Sequence, residues 1–132
     1  MRLLLVQSHP AEAREATRVL GKTGAVVDHV RTVPDAIMYL QTYEYDTVVL
    51  DRALAGMDGC EAVRRFRAAG FNTPVLMLLD QSSGHSRAQA LRSGADNLIT
   101  KPIDQEELVA RIEATVRRCN GHARSLLQVG PL

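Results

Sequence analysis

The stretch Tyr45-Asp46-Thr47-Val48-Val49-Leu50-Asp51 decides the reading of this chain. Val48, Val49 and Leu50 form a continuous apolar run containing two β-branched residues, the mark of a strand buried on both faces. The run ends on a carboxylate, Asp51, and the loop Arg52-Ala53-Leu54-Ala55-Gly56-Met57-Asp58-Gly59 follows. In an open parallel sheet, ligands and chemistry gather just beyond the carboxyl ends of the strands. Asp51 is therefore expected where chemistry takes place. What it can do depends on its neighbours.

Upstream, residues 3–6 are a short apolar run closed by Gln7-Ser8-His9-Pro10. Pro10 suits the first position of a helix, and residues 11–20 carry helical spacing at Ala13, Ala16, Thr17 and Leu20 before Gly21 and Gly24 stop it. Residues 25–30 alternate only in part and read as a strand near a sheet edge. Thr32 is placed to cap a second helix, with Pro34 in its first turn and Ala36, Ile37 and Leu40 on one face.

Downstream, residues 60–69 are amphipathic, with Val63 and Phe66 inward and Arg64, Arg65 and Arg67 toward solvent, and Gly70 ends them. Residues 74–79 are another continuous apolar strand closing at Asp80. A loop over 81–84, a weakly apolar helix over 85–93 with Ala88 and Leu91, and a stop at Gly94 come next. Residues 97–100 form a last short strand leading into Lys101-Pro102. Asp104 caps the final helix, with Glu107 completing a capping box. That helix carries Leu108, Ile112, Ala114 and Val116, and is expected to end near Arg118, with Asn120-Gly121-His122 as a break. Five strand-then-helix units with short connections predict an α/β fold with a parallel sheet covered on both faces.

The 132 residues are sized for one domain, and 45% apolar with 23% charged content is that of a soluble globular protein. A net charge of +1 argues against strong nucleic-acid binding by this segment. Cys60 and Cys119 lie far apart with no ligand spacing, and His29, His85 and His122 are scattered, so no disulfide framework or zinc site is expected. The opening Met1-Arg2-Leu3-Leu4-Leu5-Val6 is too short for a signal core or a membrane span. A cytoplasmic chain without membrane contact is the expectation.

Asp51 after the third strand, Leu78-Leu79-Asp80 closing the fourth, and Lys101-Pro102 after the fifth, with Met57-Asp58-Gly59 and Gly94-Ala95-Asp96, resemble the receiver domain of bacterial response regulators. The resemblance covers residues 1–118 and implies a flavodoxin-like (CheY-like) doubly wound, five-stranded parallel sheet of order 2-1-3-4-5. Glu107-Leu108-Val109-Ala110-Arg111-Ile112, then Val116-Arg117-Arg118 and Gly121-His122-Ala123, resemble the OmpR/PhoB subfamily and within it the CtrA-like regulators. This implies that residues 119–132 are a linker toward a winged-helix DNA-binding domain outside this sequence, the only route to DNA. A stand-alone receiver is the alternative.

In the family, an acidic pair after the first strand joins the acceptor aspartate in holding Mg²⁺. A Thr or Ser ending strand four and a Lys ending strand five contact the incoming phosphoryl oxygens, and an aromatic switch sits on strand five. Carried onto this chain, Asp51 is the candidate phosphoacceptor, Lys101 the lysine, and the Ala53 carbonyl a metal ligand. The remaining positions depart from the pattern: Gln7 and Ser8 replace the acidic pair, and His9 stands where a further acid is common. Leu79 takes the hydroxyl position, Asp80 one that is often Ala, and Leu98 the switch. Mg²⁺ wants near-octahedral oxygen ligands including carboxylates, so weak or absent Mg²⁺ and no other cofactor are expected. Losing one transition-state donor costs roughly 10²–10³ in rate elsewhere.

The expected function is that of an atypical receiver: a regulatory dimerisation and protein-interaction module of a transcriptional regulator, working largely without phosphorylation. It is not expected to be an enzyme beyond weak self-phosphorylation from a phosphodonor. The first alternative is a conventional receiver phosphorylated on Asp51 by a histidine kinase or phosphotransferase. A flavodoxin-like nucleotide- or flavin-binding protein is disfavoured, because Gln7-Ser8-His9-Pro10 is no Gly-rich phosphate loop.

The resemblance also implies a two-fold homodimer through helix four, strand five and helix five. The matching positions are Arg87, Leu91, Asp96, Asn97, Glu107, Arg111 and Arg118, with Lys101 beside them. Arg87 with Glu107 would pair across the dimer, while Asn97 in place of an acid reduces its pairing with Arg111 to a neutral hydrogen bond. Plainer readings stand beside these. Asp51 and Lys101 form a structural ion pair, His9 is a solvated loop histidine, Cys60 packs at a helix start, and Cys119 is an exposed linker thiol. Asp80 either pairs with Lys101 or repels a phosphoryl group, and the sequence leaves both open.

Overall fold

The computed structural model describes residues 1–80 and 84–129, with side chains described through residue 118. The chain alternates β1 (Arg2–Val6), α1 (Pro10–Gly21), β2 (Val26–Val30), α2 (Val33–Thr42), β3 (Thr47–Asp51), α3 (Gly59–Ala68), β4 (Val75–Leu79), α4 (Gly84–Ser93), β5 (Asn97–Thr100) and α5 (Gln105–Val129). The five strands pair in the order β2-β1-β3-β4-β5, all parallel, as the resemblance implied. β3 lies in the middle and all five of its residues are buried. β2, with its partial alternation, is an edge strand.

Side chains alternate across each strand, and the two faces make two cores. Leu4, Val6, Val48, Leu50, Val75, Met77 and Leu79 pack with α2, α3 and α4, where Phe66 is the largest buried side chain. Leu3, Leu5, Val49, Leu76 and Leu78 pack with Ala16, Val19 and Leu20 of α1 and Leu108 and Ile112 of α5. Both faces of the sheet are thereby covered, and every strand delivers its carboxyl end to one rim. Among the described residues no helix is long and apolar enough to cross a membrane.

The expected caps are present. Asp35 N–H donates to Thr32 Oγ1 (3.3 Å) and Glu107 N–H to Asp104 Oδ1 (3.0 Å). Asp58 Oδ1 takes the Cys60 N–H at 2.8 Å and starts α3. Gly94 ends α4 at φ 114°, a conformation L side chains rarely adopt. The segment after Asp51 is not an open loop: Ala53–Leu54 and Met57–Asp58 form a two-residue antiparallel ladder.

Two expectations change. α5 passes through Asn120-Gly121-His122 and reaches Val129. A single interior Gly costs a helix only about 1 kcal/mol relative to Ala, and no Pro intervenes before Pro131. Arg67 is not a solvated arginine. Its guanidinium donates to the carbonyls of Phe71 (3.0 Å), Thr73 (2.7 Å) and Gly94 (2.8 Å) and pairs with Asp96 (3.0 Å), tying α3 to the start of β5. The loop over 81–83 and the Cys119 thiol lie outside the residues and side chains described.

Candidate functional site

Asp51 closes β3 with its carboxylate almost fully buried at the rim where β1, β3 and β5 deliver their ends. Each of its oxygens is taken. Oδ1 accepts the Ala53 N–H at 2.8 Å, and Oδ2 accepts from Lys101 Nζ at 2.7 Å and from Gln7 Nε2 at 2.6 Å. Burial alone would raise the Asp51 carboxyl, but the bonds from Lys101, Gln7 and the Ala53 N–H outweigh it and hold the group below the usual carboxylate range.

Lys101 is shared. Besides Asp51, its ammonium lies 3.2 Å from Glu12 and 3.2 Å from Asp80. Burial would lower the lysine, yet the carboxylates around it win and raise it above its ordinary range. Asp80, ambiguous in the sequence, pairs with Lys101.

The β1 loop fills the side of the site where a receiver would bind metal. Gln7 is buried with every polar group engaged. Its N–H reaches Val30 O (3.1 Å), its carbonyl takes His29 Nε2 (2.9 Å), its Oε1 takes the His9 N–H (3.1 Å), and Nε2 serves Asp51 and Glu12. Ser8 Oγ donates to Arg31 O at 3.1 Å and accepts the Ala55 N–H at 3.0 Å. His9 is not a free loop histidine, because its Nε2–H donates to Ala53 O at 3.1 Å. A carbonyl only accepts, so this bond sets the tautomer. The carbonyl that would ligate a metal is thus already bonded.

These residues do not fit Mg²⁺. The ion prefers six oxygens with one or two carboxylates among them. Beside Asp51 stand a neutral amide donating into the carboxylate, a hydroxyl spent on backbone, and a histidine on the carbonyl. Among the described residues no group of three His, Cys, Asp or Glu is arranged to hold a metal ion.

Leu79 and Leu98 face inward and belong to the α2–α4 core, at 1% and 4% exposure. Neither presents a polar group to the site. Arg52, unremarked in the sequence, crosses this gap. Its guanidinium donates to Ser86 O (3.2 Å), Ser86 Oγ (2.9 Å) and Gln89 Oε1 (3.0 Å) on α4, and its Nε lies 3.3 Å from Asp58. The Gly59 N–H bonds Arg52 O at 2.8 Å, and a Cβ on Gly59 would stand 2.6 Å from Arg52 Cα. Only glycine lets the acceptor loop lie this close to the start of α3. Glu12 was missed too, although its place in the first turn after β1 puts it at the strand-end rim.

Of the positions assigned to a dimer face, Asp96, Asn97, Arg111 and Arg118 line one surface groove between β5 and α5. Leu91 is 51% exposed on α4 and Arg118 is exposed on α5. Arg87 Nη1 bonds Thr100 Oγ1 at 3.1 Å. Asn97 Oδ1 takes Arg111 Nη1 at 2.9 Å within one chain, and Glu107 lies 3.7 Å from Arg111 Nε one turn away. Asp96 accepts the Val75 N–H at 2.8 Å and pairs with Arg67, and it also lines the surface groove shared with Asn97, Arg111 and Arg118.

Comparison with known proteins agrees with this layout. The family model described as "Response regulator receiver domain" matches residues 3–113. The two-component response regulator PhoP of Pseudomonas aeruginosa is 34% identical over all 132 residues, which span 59% of that protein. The cell cycle transcriptional regulator CtrA of Caulobacter vibrioides is 33% identical over the whole chain, which spans 57% of it. The chain thus spans under two thirds of these relatives' length. The receiver domain of Francisella response regulator 1452 superposes with a TM-score of 0.83 at 24% identity, covering 89% of this chain and 98% of that one, and shows the shared fold. With its sheet order, its Asp51–Lys101 pair and a family match across nearly the whole sheet, this chain belongs to the response regulator receiver domains.

Proposed function

We propose that this receiver is a regulatory module that works without phosphorylation, passing its signal through protein contacts and self-association. One observation carries the reading: the acceptor site is closed by its own side chains. Gln7 and Lys101 occupy Asp51 Oδ2, and His9 occupies the Ala53 carbonyl. Phosphoryl transfer is positioning plus charge neutralisation, and both fail here. Among the described residues no group is arranged to hold a divalent ion, Leu79 offers no donor to a phosphoryl oxygen, and Asp80 adds negative charge at the rim.

The module is part of a transcriptional regulator, as its relatives' names suggest for them, and residues 119–132 lead toward a DNA-binding domain. α5 continuing to Val129 supports a helical connection. Self-association uses α4, β5 and α5.

A second reading, a conventional receiver phosphorylated by a histidine kinase or phosphotransferase, is favoured by the intact Asp51–Lys101 contact at 2.7 Å. Intact-mass spectrometry after incubation with acetyl phosphate and Mg²⁺ separates the two. The phosphate-independent reading expects the unmodified mass; a single phosphate adduct missing from Asp51→Asn establishes the other.

A further inference from the structure

On the flank where α1 meets β2, a groove of about 430 Å³ is lined by Ala13, Arg14, Thr17 and Arg18 of the helix and by His29 and Arg31 on the strand side. Helical spacing builds the first wall: Ala13 and Thr17 make a strip of small side chains, and Arg14 and Arg18 stand one turn apart beside it. β2 builds the second. As the outermost strand it pairs only with β1, so its other edge has no strand partner.

The charge here is of one sign. Among the described residues no carboxylate lines the groove, and neither Arg14 nor Arg31 has a side-chain hydrogen bond or ion pair. The acids nearest in sequence are engaged elsewhere: Glu12 with Lys101 at 3.2 Å, Glu15 with Arg18 at 2.6 Å, and Asp28 with Arg2 at 3.0 Å. Asp35, at the start of α2, does not line the groove. With Arg18 set against Glu15, two unmatched guanidinium groups remain, one on each wall. A guanidinium matches a carboxylate through two parallel hydrogen bonds. In an extended chain successive side chains point to opposite sides, so adjacent carboxylates reach both walls at once. The open edge of β2 also offers backbone partners, which a peptide satisfies and a nucleic acid does not. No phenylalanine, tyrosine or tryptophan lines the groove for a base to stack on.

We infer that this groove docks an extended acidic segment of a partner protein, with adjacent carboxylates on Arg14 and Arg31. Both strand-side residues are tied to the loop that closes the acceptor site. His29 Nε2 bonds the Gln7 carbonyl at 2.9 Å, and the Arg31 carbonyl takes the Ser8 hydroxyl at 3.1 Å, while Gln7 holds Asp51 at 2.6 Å. Occupancy of the groove is thereby felt at the β1 loop. The inference rests on the reading of a receiver that signals through protein contacts, and deepens it by naming a surface and the chemistry of its partner.

The probe is a capped peptide of about six glutamates, which self-repulsion keeps extended. It is titrated into ¹⁵N-labelled protein without phosphodonor, with an all-glutamine peptide and a thymidine oligonucleotide of equal charge as counterparts. Saturable shifts are expected at the amides of Ala13, Arg14, Thr17, His29 and Arg31, and through the loop at Gln7 and Ser8, with a dissociation constant of about 0.1–1 mM for two exposed charge-assisted contacts. Arg14→Gln combined with Arg31→Gln, both at exposed positions, should weaken binding at least about tenfold. Arg92→Gln combined with Arg117→Gln removes the same charge from exposed positions outside the groove and should leave the affinity unchanged. Absence of saturable shifts at the groove amides overturns the proposal, as does glutamine peptide binding as tightly or equal weakening by the two double variants. Oligonucleotide binding there as tightly as the peptide overturns it in favour of nucleic acid, and shifts that stop short of Gln7 and Ser8 overturn the link to the acceptor site. Since no phosphodonor is present, failure here leaves the phosphate-independent reading untouched, and a phosphate adduct on Asp51 would leave a positive titration standing.

Discussion

Asp51 shows how neighbouring donors keep a single buried carboxylate ionised. Desolvation opposes its charge, and the Lys101 ammonium, the Gln7 amide and the Ala53 N–H overcome it. A carboxyl held below its unfolded value contributes stability above the ordinary carboxylate range and loses it as pH falls through the folded value. Lys101, raised above its ordinary value, contributes below the unfolded lysine range and loses that contribution as pH climbs past it. The pair therefore stabilises between about pH 4 and pH 10. Urea unfolding of wild type and Asp51→Asn across pH 3–7 should show it, with the wild-type midpoint falling more steeply below about pH 4. Parallel curves for the two proteins would mean that Asp51 carries no depressed titration. Gln7 extends the same logic. Bonded through all its polar groups, it makes the site a closed network, and such a network is costly to open at one member.

At the scale of elements, the connection between acceptor loop and α4 has been rebuilt. The resemblance places a hydroxyl at the end of β4 and an aromatic on β5 as the moving parts. Here both are leucines packed in the core, and Arg52 ties the loop to α4 through Ser86 and Gln89 and to the α3 cap through Asp58. A bidentate guanidinium between two elements is a fixed strut. Removing it in Arg52→Ala should lower the local opening energy of α4 by about 1–1.5 kcal/mol, a near-tenfold faster amide exchange in Gly84–Ser93, with α1 unchanged. Unaltered protection in α4 would show that core packing holds that helix by itself. Nothing in the residue type of Arg52 announced this, because its partners come from α4, over 30 positions along the chain.

For the molecule as a whole, the sheet was legible because its strands are continuous apolar runs closed by glycine, proline and carboxylates, and short connections left few topologies. The site was legible only as positions. That Gln7 meets Asp51, and His9 meets Ala53, are contacts 44 residues apart, set by β1 lying beside β3 rather than by local pattern. The bond from Arg67 on α3 to Asp96, 29 residues along, was hidden for the same reason. The α4–β5–α5 surface carries Leu91 exposed on α4, the Asn97, Glu107 and Arg111 cluster, and Asp96 and Arg118 on the same groove. Exposed ion pairs contribute only about 0.2–1 kcal/mol each, so Leu91 has to carry self-association. Sedimentation equilibrium should find a weak dimer that Leu91→Asp loosens at least about tenfold, since burying a new charge there costs more than 1.4 kcal/mol. Because Leu79 and Leu98 leave no polar relay to reshape α4, beryllofluoride with Mg²⁺ should leave the association constant unchanged. A dimer tightened tenfold or more by beryllofluoride would return the chain to the phosphate-switched receivers. A monomer at every concentration would move its output to a different partner and a different face.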